Sequence, residues 1–84
     1  MVVLTSGNRL FQLMATVLGV HASLAHRLLA EVLVTVGSSP KDATVEELGV
    51  LLPEIERRLL LLVPHERAAP AMARLRRTLL AWEG

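Results

Sequence analysis

Residues 44–64, TVEELGVLLPEIERRLLLLVP, carry the local signals that decide the fold. The stretch opens on a capping box, in which the Thr44 hydroxyl accepts a hydrogen bond from the backbone N–H of Glu47 and the Glu47 carboxylate accepts one from the N–H of Thr44. Acidic side chains in a first turn also complement the helix dipole. The pattern therefore predicts a helix that begins directly after Thr44.

Two helix-breaking residues follow in the same stretch. Gly49 has a low helix propensity, and Pro53 disfavours a helical backbone at Leu52. Because proline suits the first position of a helix, we predict a short or interrupted helix up to Leu52 and a further helix from Pro53 to about Val63. The inner face of that further helix would consist of Ile55, Leu59 and Leu62.

The N-terminal half contains two more helical patterns. Asn8 is a suitable cap for a helix over residues 9–18, and Gly19 is a suitable terminator. A second helix is predicted over residues 22–36, with Gly37 at its end. On its polar side, Arg27 and Glu31 lie one turn apart and are expected to form a weak ion pair. The apolar stripe of this second helix is Leu24, Ala25, Leu28, Leu29, Val32, Leu33 and Val36.

The C-terminal segment predicts a last helix that begins at His65 or Pro70 and ends near Trp82. Its apolar face would be Met72, Leu75, Leu79 and Trp82. Residues 38–43 predict the main loop, and residues 1–7 an extended arm. The fold class is therefore all-α: one domain over residues 1–84 with four to five short helices in orthogonal or bundle-like packing and residues 9–36 at its centre.

The composition favours a chain that associates with another chain. Of the 84 residues, 52% are hydrophobic, which excludes a disordered chain, and none is cysteine, which excludes a disulfide scaffold. A domain of this length has little interior in which to bury its 18 leucines. We therefore predict a homodimer or a higher closed oligomer. The interface is expected to draw on parts of the second helix and on Phe11, Met14, Leu60 and Leu61.

The sequence contains no recognisable catalytic, metal or nucleotide motif. His21 and His26 are five residues apart, which places them about 140° apart around a helix, whereas a chelating pair needs a spacing of three or four. His65 lacks the second histidine of a zinc-protease helix, and the five glycines are isolated. We expect no enzyme activity, no cofactor and no metal. No signal peptide or membrane span is recognised, so a cytoplasmic location is expected.

The charges are unevenly distributed although the net charge is only +1. Residues 41–56 hold five acids against one lysine, and residues 57–84 hold six arginines against two glutamates. Arg67, Arg74 and Arg77 are expected on one side of the last helix. We favour a solvated face, or one that pairs with the acids, over a nucleic-acid contact. The use of eight arginines and one lysine fits a GC-rich or heat-adapted source.

These observations predict a non-catalytic helical interaction or regulatory module that acts as a homo-oligomer or with another protein. One alternative is a nucleic-acid-associated protein that uses the basic face of the C-terminal helix. A second alternative is a small-ligand sensor with an apolar pocket between helices. A membrane partner is not expected.

Overall fold

A computed structural model describes residues 7–82, and within them the chain forms four α-helices and no strand. The helices are α1 (Arg9–Val17), α2 (Ala22–Val34), α3 (Val45–Leu59) and α4 (His65–Ala81), and a short 3-10 turn, Pro40–Asp42, precedes α3. The all-α prediction is confirmed. Most of the predicted extended arm lies outside the described residues.

Each helix packs against two others, so that the four enclose one core. α1 contacts α2 and α4, and α3 contacts the same two helices from the other side. The Cα radius of gyration is 11.8 Å, which matches the value of about 12 Å for a compact chain of this length. The prediction that residues 9–36 form the centre is wrong, because all four helices contribute equally buried side chains. The largest of these are Phe11, Met14, Leu18, Leu29, Leu33, Leu48, Ile55, Leu59, Met72 and Leu75.

The predicted break at Pro53 is absent, and α3 is one continuous helix of 15 residues. Proline has no N–H to donate to the carbonyl four residues earlier, which here belongs to Gly49. The helix continues because its buried positions form one stripe that extends on both sides of Pro53, while Pro53 itself is exposed. Burial of the whole stripe outweighs the lost hydrogen bond. The stripe consists of Leu48, Leu51, Ile55 and Leu59.

The helix starts are fixed largely as the sequence predicts. The capping box at Thr44 is present, with Glu47 N donating to Thr44 Oγ1 at 3.1 Å and Thr44 N donating to Glu47 Oε1 at 3.2 Å. Asn8 caps α1 by accepting from Phe11 N at 2.9 Å, and it also donates through Nδ2 to the carbonyl of Ala43 at 2.9 Å. Asn8 therefore joins the start of α1 to the loop before α3.

Two glycines end α1 and α2 in the left-handed conformation. Gly19 has φ +75° and Gly37 has φ +74°. After α2, Ser38 N donates to the Leu33 carbonyl and Gly37 N to the Val34 carbonyl, each at 3.0 Å. These two bonds are the Schellman pattern that glycine permits without a steric penalty. Both predicted terminators are confirmed.

α3 ends at Leu59, four residues before the predicted end. Residues 60–63 turn the chain, and Pro64, with φ −64°, stands at the cap of α4. Helix α4 begins at His65, so Pro70 lies inside the helix and is not its first residue. The turn places Leu60, Leu61 and Leu62 outside any helix, and all three are exposed.

Candidate interaction surface

The four residues predicted to form an interface do not share one surface. Phe11 and Met14 are 1% and 0% exposed, and the Phe11 ring stands edge-on to the ring of His26, with the centroids 5.2 Å apart. Leu60 and Leu61, in the turn after α3, are 40% and 84% exposed. The inclusion of Phe11 and Met14 is corrected, because α1 uses both side chains to pack against the core of its own copy.

An apolar groove lies between the first half of α2 and the turn after α3. We call it the Leu61 groove, and the residues that line it are Leu24, Arg27, Leu28, Glu31, Arg58, Leu61 and Leu62. Leu28 is buried, whereas Leu24 and Leu62 are more than two-fifths exposed. Leucine side chains beside charged ones resemble the apolar centre and polar rim of a protein–protein interface.

Two charged residues of the groove, Glu31 and Arg58, belong to a network that joins α2 to α3. Arg58 donates from Nη1 to Glu31 Oε1 at 3.1 Å and from Nε to Glu54 Oε2 at 2.9 Å. Arg57 Nη2 donates to Glu54 Oε2 at 2.7 Å. Hydrogen bonds from Arg57 and then Arg58 hold the pKa of Glu54 below its ordinary value, and the bond to Glu54 raises the pKa of Arg57. The expected pair between Arg27 and Glu31 is not formed, and Glu31 pairs with Arg58 instead.

A second apolar groove lies between α3 and α4, on another side of the molecule. The residues that line it are Val45, Gly49, Leu52, Arg76, Leu79 and Leu80. Leu80 is 88% exposed, and Arg76 is the one charged residue in this lining. We call it the α3–α4 groove. It offers apolar contact without a matched pair of charges.

The predicted basic face of α4 is exposed but divided. Arg67 and Arg74 line a cleft together with the turn between α1 and α2, where an Arg74 nitrogen lies close to Gly19. Arg77 does not line this cleft. No carboxylate of residues 7–82 lies within 4.0 Å of these three guanidinium groups. The acids of residues 42–56 therefore do not pair with them within the described part of one copy.

Two of the three histidines have local structural roles. His21 caps α2 by accepting from Ser23 N at 3.2 Å, and His26 packs against Phe11. His65 is exposed at the start of α4. Among residues 7–82 there is no group of three or more side chains that could hold a metal ion.

The two grooves differ from a typical small-ligand site in having no buried polar residue among residues 7–82. No polar or charged residue of this part of the chain is buried, so either groove would hold a ligand by apolar contact and by exposed charges. The small-ligand hypothesis stays a prediction. None of the four helices is long and apolar enough to cross a membrane.

Sequence reasoning missed several exposed apolar residues. Leu24 and Val36 belong to the predicted apolar stripe of the second helix but are 41% and 46% exposed. Val34 is 68% exposed, and a helical projection of α2 would have placed it opposite the core. Val50 and Leu80, both highly exposed, lie outside every predicted inner face.

Comparison of the chain with protein-family models, with curated proteins and with solved structures finds no match in any of the three.

Proposed function

We propose that this protein is a non-catalytic helical interaction module that works as a homo-oligomer. The observation that carries the proposal is the number of large apolar side chains left on the surface of one copy. Nine of them in residues 7–82 are at least 38% exposed: Leu13, Leu24, Val34, Val36, Val50, Leu60, Leu61, Leu62 and Leu80. Three of them, Leu24, Leu61 and Leu62, line one groove, and an exposed apolar patch on a small domain marks an interaction site.

The Leu61 groove is the best-supported site for that contact. Leu61 and Leu62 project from a turn, where the core of their own copy does not cover them. The charges beside them make the groove selective, because a partner must place opposite charges against it. A second copy is a suitable partner, because two copies related by a two-fold axis cover the same patch on each other and leave none of it exposed.

Sedimentation equilibrium tests the proposal on the full chain. Between micromolar and millimolar concentration, we expect an average mass that rises above the 9.2 kDa of one copy. Leu61→Glu should lower the association constant by about tenfold or more, because a charge would be buried in the contact. Leu80→Glu is the matched control on the α3–α4 groove and should associate like wild type. A single 9.2 kDa species at every concentration would overturn the proposal.

A second candidate function is nucleic-acid binding by the basic face of α4. It is favoured by the absence of any ion pair from Arg67, Arg74 or Arg77 to residues 7–82. Fluorescence anisotropy with a random-sequence duplex should then show binding that weakens steeply from low to moderate salt. The triple substitution of these arginines by glutamine should abolish it, whereas Arg57→Gln, which alters an internally paired arginine, should not. No binding at low salt ends this candidate.

A further inference from the structure

The outward side of α2 carries an ordered stripe. Leu24, Arg27, Glu31 and Val34 are separated by three, four and three residues, which places them along one side of the helix. All four are exposed, while Leu28, Leu29, Val32 and Leu33 face the core. We call the exposed set the α2 stripe. It has an apolar residue at each end and two opposite charges in the middle.

The α2 stripe is symmetric about Leu29. Arg27 and Glu31 lie two residues before and after it, and Leu24 and Val34 lie five residues before and after it. When two copies of a helix run antiparallel about a two-fold axis, each residue meets the one at the same distance on the other side of the axis. Arg27 of each copy would then face Glu31 of the other, and Leu24 would face Val34.

The charges of the stripe are suited to such a contact. Among residues 7–82, Arg27 has no carboxylate within 4.0 Å, although Glu31 lies one turn away on the same helix. Glu31 accepts from Arg58 through Oε1, and its side chain remains 55% exposed. A carboxylate accepts several hydrogen bonds, so Glu31 can also bind a guanidinium from a second chain. Arg58 meanwhile orients it.

We propose that two copies of this chain associate through the α2 stripe, with the two α2 helices antiparallel about a two-fold axis at the level of Leu29. This inference rests on the proposed function and assigns the surface and its partner. Leu61 and Leu62 line the groove beside Leu24, so the same contact extends onto the Leu61 groove. There they would meet the Val34 end of the partner helix.

The α3–α4 groove does not offer an equivalent pairing. Its lining contains Arg76 but no carboxylate, so a second copy on the same patch would bring two arginines together. Like charges across a contact oppose association. The α2 stripe presents both signs at matched positions, and this charge complementarity selects it.

Charge reversal tests the pairing. Arg27→Glu and Glu31→Arg each replace two attractive pairs in the dimer by two repulsive ones, and each should weaken the association constant by about tenfold or more. The double variant Arg27→Glu/Glu31→Arg restores both pairs between the copies and should associate more tightly than either single variant. Because Glu31→Arg also removes the bond to Arg58 within one copy, Arg58→Gln is the matched control for that loss. Arg77→Glu, which makes the same charge change on α4, should associate normally. Circular dichroism of each variant checks that the helices remain.

Cross-linking supplies a second measurement that does not depend on charge. The sequence contains no cysteine, so an introduced cysteine is the only thiol that can react. An equimolar mixture of Leu24→Cys and Val34→Cys chains, treated with a short bifunctional maleimide, should yield a covalent dimer of the two. Each variant alone should yield little, because like positions lie about 15 Å apart along the helix axes.

The outcomes separate the two proposals. If wild type self-associates but the double variant stays as weak as the single variants, and the mixed cysteines do not cross-link, the α2 pairing is wrong and the proposed function stands on another surface. If wild type remains monomeric at every concentration, both proposals fail. Rescue by the double variant together with mixed cross-linking supports both.

Discussion

Helices α2 and α3 pack side by side, yet they are stabilised in different ways. α2 contains neither glycine nor proline between its ends, so local propensity and burial act in the same direction. α3 contains both Gly49 and Pro53 near its middle and remains continuous. The comparison teaches that a fully buried apolar stripe, supported by a capping box, can maintain a helix through residues that disfavour it.

The charged side chains of the two helices also differ in their ion-pair partners. On α3, Glu54 is bound by Arg57 and Arg58 of its own helix. On α2, Glu31 pairs with Arg58 of α3, and Arg27 makes no ion pair with residues 7–82. The last turns of α3 therefore pair their arginines within one copy, whereas α2 leaves Arg27 exposed.

The largest expected effect comes from the inner faces, where the two helices should behave alike. Leu33→Ala in α2 and Leu59→Ala in α3 each remove a fully buried side chain and should lower the free energy of unfolding by about 2–5 kcal/mol. Val50→Ala, 75% exposed on α3, should change it by about 0.5 kcal/mol at most. Urea unfolding measures all three. A loss at Leu59 no greater than at Val50 would contradict the burial of the α3 stripe.

The next largest effect is expected at Pro53, the proline inside α3. Pro53→Ala restores an N–H that can donate to the Gly49 carbonyl and should raise the free energy of unfolding by about 1–3 kcal/mol. Pro64→Ala is the matched control, because Pro64 lies outside a helix with φ −64°, which proline favours. It should lower stability by about 0.4–1 kcal/mol, since the unfolded chain gains freedom. A Pro53→Ala variant that is less stable than wild type, like Pro64→Ala, would contradict the conclusion that Pro53 destabilises α3.

A smaller effect is expected at Gly49. A Cβ built on Gly49 meets no atom within 4 Å, so no contact in one copy requires a glycine there. Gly49→Ala should raise the free energy of unfolding by about 0.5–1 kcal/mol, because alanine has the higher helix propensity. Ala30→Gly in α2 makes the reverse change and should lower stability by a similar amount. Thermal unfolding of both variants checks this, and a destabilising Gly49→Ala would contradict it.

The smallest effect concerns pH. Because the pKa of Glu54 is lowered in the folded chain, its ion pairs stabilise the fold above the ordinary pKa of glutamate, and this contribution is lost as the pH falls through the lowered pKa. The Tm of Glu54→Gln should therefore lie below that of wild type at neutral pH and converge with it in acid. Arg57→Gln should show the same convergence. Parallel Tm curves for Glu54→Gln and wild type would show that the pairing does not stabilise the fold.

Much of the fold could be predicted from short-range signals. The caps at Asn8 and Thr44, the terminators Gly19 and Gly37, and the inner positions of α4 all depend on residues within one or two turns of each other. The candidate site could be predicted only in part. Leu60 and Leu61 are exposed and stay candidates for an interface, whereas Phe11 and Met14 are buried by contacts with helices far along the chain.

By itself, the sequence determined that the chain is helical, where most of its helices begin and end, and that one small domain has more leucine than it can bury. Only the tertiary structure decided that α3 passes through Pro53, that Glu31 binds Arg58 and not Arg27, and that α2 turns Arg27 outward. The physical reason is the distance along the sequence between the residues that interact. Caps and propensities act between near neighbours, whereas burial and ion pairing between helices depend on residues that only the folded chain brings together.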